Sequence, residues 1–99
     1  DRMRNAAQET NEEVWELPIH ENHRKAMKGK FADLNNVGDS GLGGACTAAA
    51  FLEEFVEKND WIHLDIAGPA MPKKPKDIDF PGGTGFGVRL LTRFLQNIK

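Results

Sequence analysis

The sequence predicts an α/β fold, and three observations carry that prediction. Trp61-Ile62-His63-Leu64-Asp65-Ile66 reads as a buried strand. The stretch before it, residues 44–58, is the most apolar helical run in the chain. A shorter apolar segment, Phe31-Ala32-Asp33-Leu34, precedes that helix across a glycine-rich loop. Strand, glycine-rich loop, helix and strand in this order form a crossover unit. If its two strands share a sheet, they lie parallel with a right-handed connection. In open sheets of this kind ligands sit beyond the carboxyl ends of the strands, which points to the residues just after Ile66.

The first element is a weak, polar helix over residues 2–12, ended by Thr10-Asn11. It starts at the first residue with no capping residue before it, so the chain is expected to be entered partway through an element, as a fragment. Val14 to Ile19 is an extended segment. Pro18 biases Leu17 away from helix and cannot donate in the middle of a sheet, which makes this an edge or connecting piece. Glu21 to Lys28 is a short polar helix ended by Gly29. The strand candidate 31–34 follows, and then the loop Asn35 to Gly44. In the helix 44–58, Ala45, Cys46, Ala48, Ala49, Ala50, Phe51, Leu52, Phe55 and Val56 leave the first half apolar almost all round, the mark of a buried helix. Glu53, Glu54, Glu57 and Lys58 make its end wet, and Asn59-Asp60 turns into the strand. There Ile62, Leu64 and Ile66 share one face, and Trp61, His63 and Asp65 the other. Gly68 to Pro81 is a long loop with four prolines, of the kind that is functional or mobile. The final helix, 84–98, sets Phe86, Leu90, Leu91, Phe94, Leu95 and Ile98 against Arg89, Arg93, Gln96 and Lys99, one face on the core.

Length and composition exclude several classes. The 99 residues allow one small domain. A net charge of −2 gives no nucleic-acid footprint; Lys73, Lys74 and Lys76 are followed by Asp77 and Asp79 and read as a solvated loop. No run approaches the ~20 apolar residues of a membrane span, and no secretory leader is visible. The single cysteine, Cys46, lies in an apolar helix and reads as a small hydrophobe. That usage fits a reducing compartment.

Several motifs suggest chemistry without supplying it. His20, Glu21 and His23 approach the zinc-protease pattern, but that pattern needs histidines at i and i+4 on one helix face; here they are at i and i+3. Gly38-Asp39-Ser40-Gly41 resembles the nucleophile turn of chymotrypsin-like proteases, whose chemistry needs a base and an acid on a scaffold this chain lacks. A nucleophile elbow would need glycine where Leu42 stands. His63 and Asp65 share a strand face, but two side chains make no metal site. Gly82-Gly83-Thr84-Gly85-Phe86-Gly87 does not fit the dinucleotide fingerprint and follows no strand directly; it reads as close packing at a helix start.

Six segments taken together resemble the C-terminal part of the leucyl (cytosol) aminopeptidases. They are Glu13-Val14-Trp15-Glu16-Leu17-Pro18, Ala32-Asp33-Leu34-Asn35-Asn36-Val37-Gly38, Gly43-Gly44-Ala45-Cys46-Thr47-Ala48-Ala49, Phe51-Leu52-Glu53-Glu54-Phe55-Val56, Trp61 through Gly68, and Thr84-Gly85-Phe86-Gly87-Val88-Arg89-Leu90-Leu91. They keep the family's order and spacing and cover nearly the whole chain. The resemblance implies that residues 1–99 are part of a mixed-sheet, three-layer α/β peptidase catalytic domain: its C-terminal portion, with strands 31–34 and 61–66, helix 44–58 and final helix 84–98.

The implied activity is release of N-terminal residues from peptides with a free N-terminus, by a cytoplasmic homo-hexamer that uses two divalent metals, zinc or manganese. Such a metal pair polarises a carbonyl and lowers the pKa of a bridging water. The family's ligands and catalytic groups lie in a lysine-containing segment and an Asn-Thr-Asp-Ala-Glu-Gly-Arg motif. Both fall upstream of anything in this chain, so no catalytic or metal-binding residue is assigned here. The implied substrate-binding residues are those of the family's loop after Asp65-Ile66-Ala67-Gly68, which lines the pocket for the N-terminal side chain. That places Ala67 there, with Ala70 or Met71 as the deeper wall. Pro69-Ala70-Met71-Pro72 and the Lys/Pro/Asp-rich stretch after it depart from the family pattern and leave those two as alternatives. The alanine-rich helix and loop 68–81 are candidate contacts with neighbouring subunits. The competing reading is a non-catalytic α/β scaffold or interaction module, a degenerate paralogue.

Overall fold

The computed structural model describes residues 1–38, 41, 43–71 and 82–98. These form five helices: α1 (Arg2–Thr10), α2 (Glu21–Ala26), α3 (Gly44–Glu53), α4 (Ala67–Ala70) and α5 (Val88–Gln96). The chain divides into two compact units, one made of Asp1–Trp15 with Asp65–Lys99 and the other of Glu16–Leu64.

The first unit is built on α1 against α5. Met3, Ala6 and Ala7 recur at helical spacing and are buried, as is Leu90 from α5. The helices run antiparallel: Glu9 meets Arg93 at 2.7 Å and Asn97 at 3.4 Å, whereas Glu12 meets the opposite end of α5. Asn11 ends α1 in the left-handed conformation, with φ 54°. The Asn11 amide donates to Gln8 (3.4 Å) and the Glu12 amide to Ala7 (3.2 Å). This is the hydrogen-bond pair of a Schellman turn, and it directs Glu12 out of the helix and towards α5.

Glu12 has only 5% of its surface exposed. Its Oε2 accepts from the Gly87 amide at 3.1 Å and the Leu90 amide at 2.8 Å, and its Oε1 lies 3.4 Å from the Arg89 guanidinium. Helix N-termini leave amides unpaired, and a Ser, Thr, Asp or Asn in front of the helix ordinarily satisfies them. Here that position is Gly87, with φ 97° and no side chain to offer. A carboxylate 75 residues away does the capping instead, and its charge also complements the helix dipole.

The final helix begins at Val88 rather than at the expected Thr84. Gly85 and Gly87 hold positive φ, 72° and 97°, which breaks the right-handed run until Val88. Only one side of the expected apolar face meets α1. Leu90 is buried and Phe86 and Phe94 are half-buried, but Val88, Leu91, Leu95 and Ile98 form an exposed apolar stripe. Arg89 and Arg93 are exposed, as expected, and from there also pair with Glu12, just beyond α1, and with Glu9 of α1.

In the second unit α2 packs on α3. Arg24 grips Glu53 through two bonds, Nε to Oε2 at 2.7 Å and a terminal nitrogen to Oε1 at 3.0 Å. Met27 is buried, as are Ala49 and Ala50; the two alanines offer no bulk against the neighbouring chain. The segment expected as strand 31–34 is a chain reversal. The Gly29 amide donates to the Asp33 carbonyl at 3.1 Å and the Asn35 amide to the Met27 carbonyl at 2.8 Å. An isolated antiparallel bridge joins Lys28 and Leu34. These bonds turn the backbone groups inward on the reversal. A Cβ at Gly29 would sit 1.9 Å from the Ala32 carbonyl oxygen, so the turn requires glycine.

The helix expected over 44–58 is regular to Glu53. Beyond it the bonding tightens to three-residue turns: the Phe55 amide donates to Leu52 and Val56 to Glu53. Glu57 adopts φ 58°, which stops the winding, and the Asn59 amide side chain donates to the Val56 carbonyl at 2.9 Å. The expected burial of this helix is partial, since Ala48, Leu52 and Phe55 are exposed. Among the described residues 61–66 joins no ladder, so the mixed sheet and its crossover are not seen among them. The Trp61 and His63 rings lie 6.5 Å apart, tilted by 57°.

Candidate functional site

The residues singled out by the sequence, Ala67, Ala70 and Met71, sit on and just after α4. Asp65 creates this short helix: its Oδ1 accepts from the Ala67 amide at 3.0 Å, a side-chain turn of the kind aspartate makes two residues on. The Ala70 amide then donates to the Ile66 carbonyl at 2.9 Å, closing one helical turn. Pro69 is tolerated because first-turn amides have no intrahelical acceptor. Ala67 is exposed, Ala70 is half-buried and Met71 is 69% exposed. The turn therefore carries small and adaptable apolar side chains, and its one carboxylate, Asp65, is engaged in holding the backbone.

The far side of α4 is tied to the segment leading into α5. The Thr84 amide donates to the Ala70 carbonyl at 2.9 Å. The Thr84 hydroxyl donates to the Pro69 carbonyl at 2.7 Å and accepts from the Phe86 amide at 3.1 Å. By sequence Thr84 is only part of a close-packed helix start. Its signal was a threonine among glycines two residues before a helix entry, where a hydroxyl can accept a backbone amide. Glu12 carries no motif of its own, and its one signal is the lack of a capping side chain at Gly87, ahead of Val88.

The other candidates are placed plainly. His23 Nδ1 accepts from the His20 backbone amide at 2.9 Å, so this pair opens α2. Cys46 is half-buried and free. Among the described residues no three His, Cys, Asp or Glu side chains group as a metal site, and no helix is long and apolar enough to cross a membrane. Asp39, Ser40, Leu42, Lys73, Lys74, Lys76, Asp77 and Asp79 lie outside the described residues. Among the described residues the one clear electrostatic perturbation is Arg24 with Glu53. The hydrogen bond from Arg24 holds the Glu53 carboxyl below the usual range, against the opposing effect of burial, and the same bond raises the Arg24 guanidinium.

Residues 1–92 match the model of the cytosol aminopeptidase family, catalytic domain. The chain belongs to the cytosol aminopeptidase family. It is 49% identical over 94 residues to a probable cytosol aminopeptidase of Gloeobacter violaceus, covering 95% of this chain and 18% of that protein. It is 45% identical over 97 residues to one from Rhodopirellula baltica, covering 98% of this chain and 19% of the relative. A third, from Xanthobacter autotrophicus, is 43% identical over 97 residues, with the same two shares. The chain thus spans about a fifth of the length of these cytosol aminopeptidases. The matched region takes in α1 to α4 and the capped start of α5.

Proposed function

We propose that this chain is the C-terminal portion of the catalytic domain of a metal-dependent, leucyl-type aminopeptidase, in which the 65–71 turn forms one wall of the pocket for the substrate's N-terminal side chain. The observation that carries the reading is the family match across residues 1–92. The turn itself supports it, being apolar, partly exposed and braced from both ends. In this reading the pair of divalent metals, zinc or manganese, is bound by residues outside this chain. The described residues offer no fitting donor set, and no proton transfer is assigned to them. They shape the pocket: Ala67 leaves room for an apolar side chain, and Ala70 or Met71 closes its depth, methionine being an adaptable wall. The working assembly proposed is a cytoplasmic homo-hexamer.

Ala67→Phe in the intact enzyme tests the wall. Filling the pocket should lower kcat/KM for leucine amide at least about tenfold more than for alanine amide, since pocket volume discriminates side chains on this scale. Equal losses on both substrates would remove Ala67 from the pocket. As a companion measurement, the 99-residue chain alone with manganese should release no ammonia from leucine amide; turnover there would overturn the assignment of catalysis to other residues.

A further inference from the structure

We infer that Thr84 is a positioning residue for substrate selectivity, its hydroxyl fastening the 67–71 wall to the capped start of α5. This rests on the pocket-wall reading above and names the residue that holds the wall in place. The last carbonyls of a helical turn have no intrahelical partner, and in α4 two consecutive ones, Pro69 and Ala70, are both taken by Thr84, at 2.7 Å and 2.9 Å. The hydroxyl is used in both directions, as donor to Pro69 and acceptor from Phe86, so its orientation is fixed. Phe86 is followed directly by Gly87, whose amide is bound by the buried Glu12. The wall is thereby tied, through these hydrogen bonds and the Phe86–Gly87 peptide link, to Glu12 just beyond the end of α1. The wall's own residues lack this constraint: Ala67, Ala70 and Met71 have no polar side chain, and Met71 is largely exposed.

Thr84→Val keeps the shape and the backbone bond to Ala70 but removes both hydroxyl bonds. Thr84→Ser keeps the hydroxyl. A loosened wall costs binding only to side chains long enough to touch it. In the intact enzyme, Thr84→Val should therefore lower kcat/KM for leucine amide by roughly 3- to 10-fold, chiefly through KM, the scale of one or two net hydrogen bonds. Alanine amide should change by less than about twofold, and Thr84→Ser should restore the leucine value. Hydrogen exchange of the 66–71 peptide should quicken in Thr84→Val and not in Thr84→Ser.

The failures separate. If Ala67→Phe shifts selectivity but Thr84→Val depresses both substrates equally or neither, the positioning role is wrong and the wall stands. If neither variant shifts selectivity, both fall. Should Thr84→Val and Thr84→Ala both fail to fold while Thr84→Ser folds, the hydroxyl is a stability element and the positioning role is overturned. Unchanged exchange at 66–71 in Thr84→Val would overturn it too.

Discussion

Replacing Glu12 tests whether a remote carboxylate really caps α5. Glu12→Ala would leave the Gly87 and Leu90 amides, both in buried residues, without an acceptor. Each unpaired buried donor costs about 1–3 kcal/mol. Relief from burying a carboxylate offsets part of this, and the net loss expected is about 2–4 kcal/mol, at or above the upper end for removal of a helix cap. Glu12→Gln is the informative partner. Both amides bond to the same oxygen, Oε2, so the glutamine carbonyl can accept both; charge assistance and the dipole contribution are lost, and the new NH2 stands where Oε1 faced Arg89. The contact to Arg89 adds little, because that guanidinium is 60% exposed. Glutamine should therefore cost about 1 kcal/mol. Hydrogen exchange in the intact protein reads both values: protection over α5 should fall roughly 30- to 700-fold in the alanine variant and by about fivefold in the glutamine variant. Equal loss in the two variants, or an alanine loss under about 0.5 kcal/mol, would refute the capping argument.

Two further outcomes follow from the second unit. Gly29→Ala should destabilise it by about 2 kcal/mol or more, because its Cβ would meet a backbone oxygen rather than a movable side chain; near-wild-type urea unfolding would contradict the reversal described. Glu53 should titrate below the ordinary carboxylate range, followed by its side-chain carbon resonance, and Arg24→Met should return it upward. Since its folded value is the depressed one, the stabilisation from this pair is present above the unfolded carboxylate range and is lost as pH falls through the folded value. A Glu53 titration unmoved by Arg24→Met would sever the two.

What was legible in the sequence depended on whether the cause was local. The start of α2, the end of α1 at Asn11 and the amphipathic character of α5 all follow from neighbouring residues, and they stand where the periodicity and turn chemistry put them. The Asp65–Ala67 turn has a local cause as well, but the strand expected over 61–66 does not anticipate it. The errors lie where distant residues decide. The apolar pattern of α5 is wider than the part α1 covers, so Leu91 and Leu95 could not be told from Leu90. Arg89 and Arg93 are solvent-facing as expected, but their pairing with Glu12 and Glu9 was not legible, because those partners are 77 and 84 positions away. A strand at 31–34 fits the pattern Phe-Ala-Asp-Leu, but the tight approach at Gly29 turns the chain first. The proposed wall residues Ala67, Ala70 and Met71 rest on family likeness and not on physical pattern. Thr84, which braces them, carried a local signal that only the carbonyls of Pro69 and Ala70 made meaningful.

The Glu12 contact also constrains the order of events at the ribosome. Its partners are made 75 and 78 residues later, and synthesis adds about 5–20 residues per second. For roughly 4–15 s the nascent chain therefore holds α1 and its carboxylate without the helix they serve, while Glu16–Leu64, a compact unit in itself, has time to form. Closing so long a loop costs several kcal/mol of chain entropy, on the order of 4 by the logarithmic law, and an already folded intervening segment shortens the effective loop. Asp1–Trp15 and the stretch from Asp65 onward can thus pair late, after the segment between them has formed.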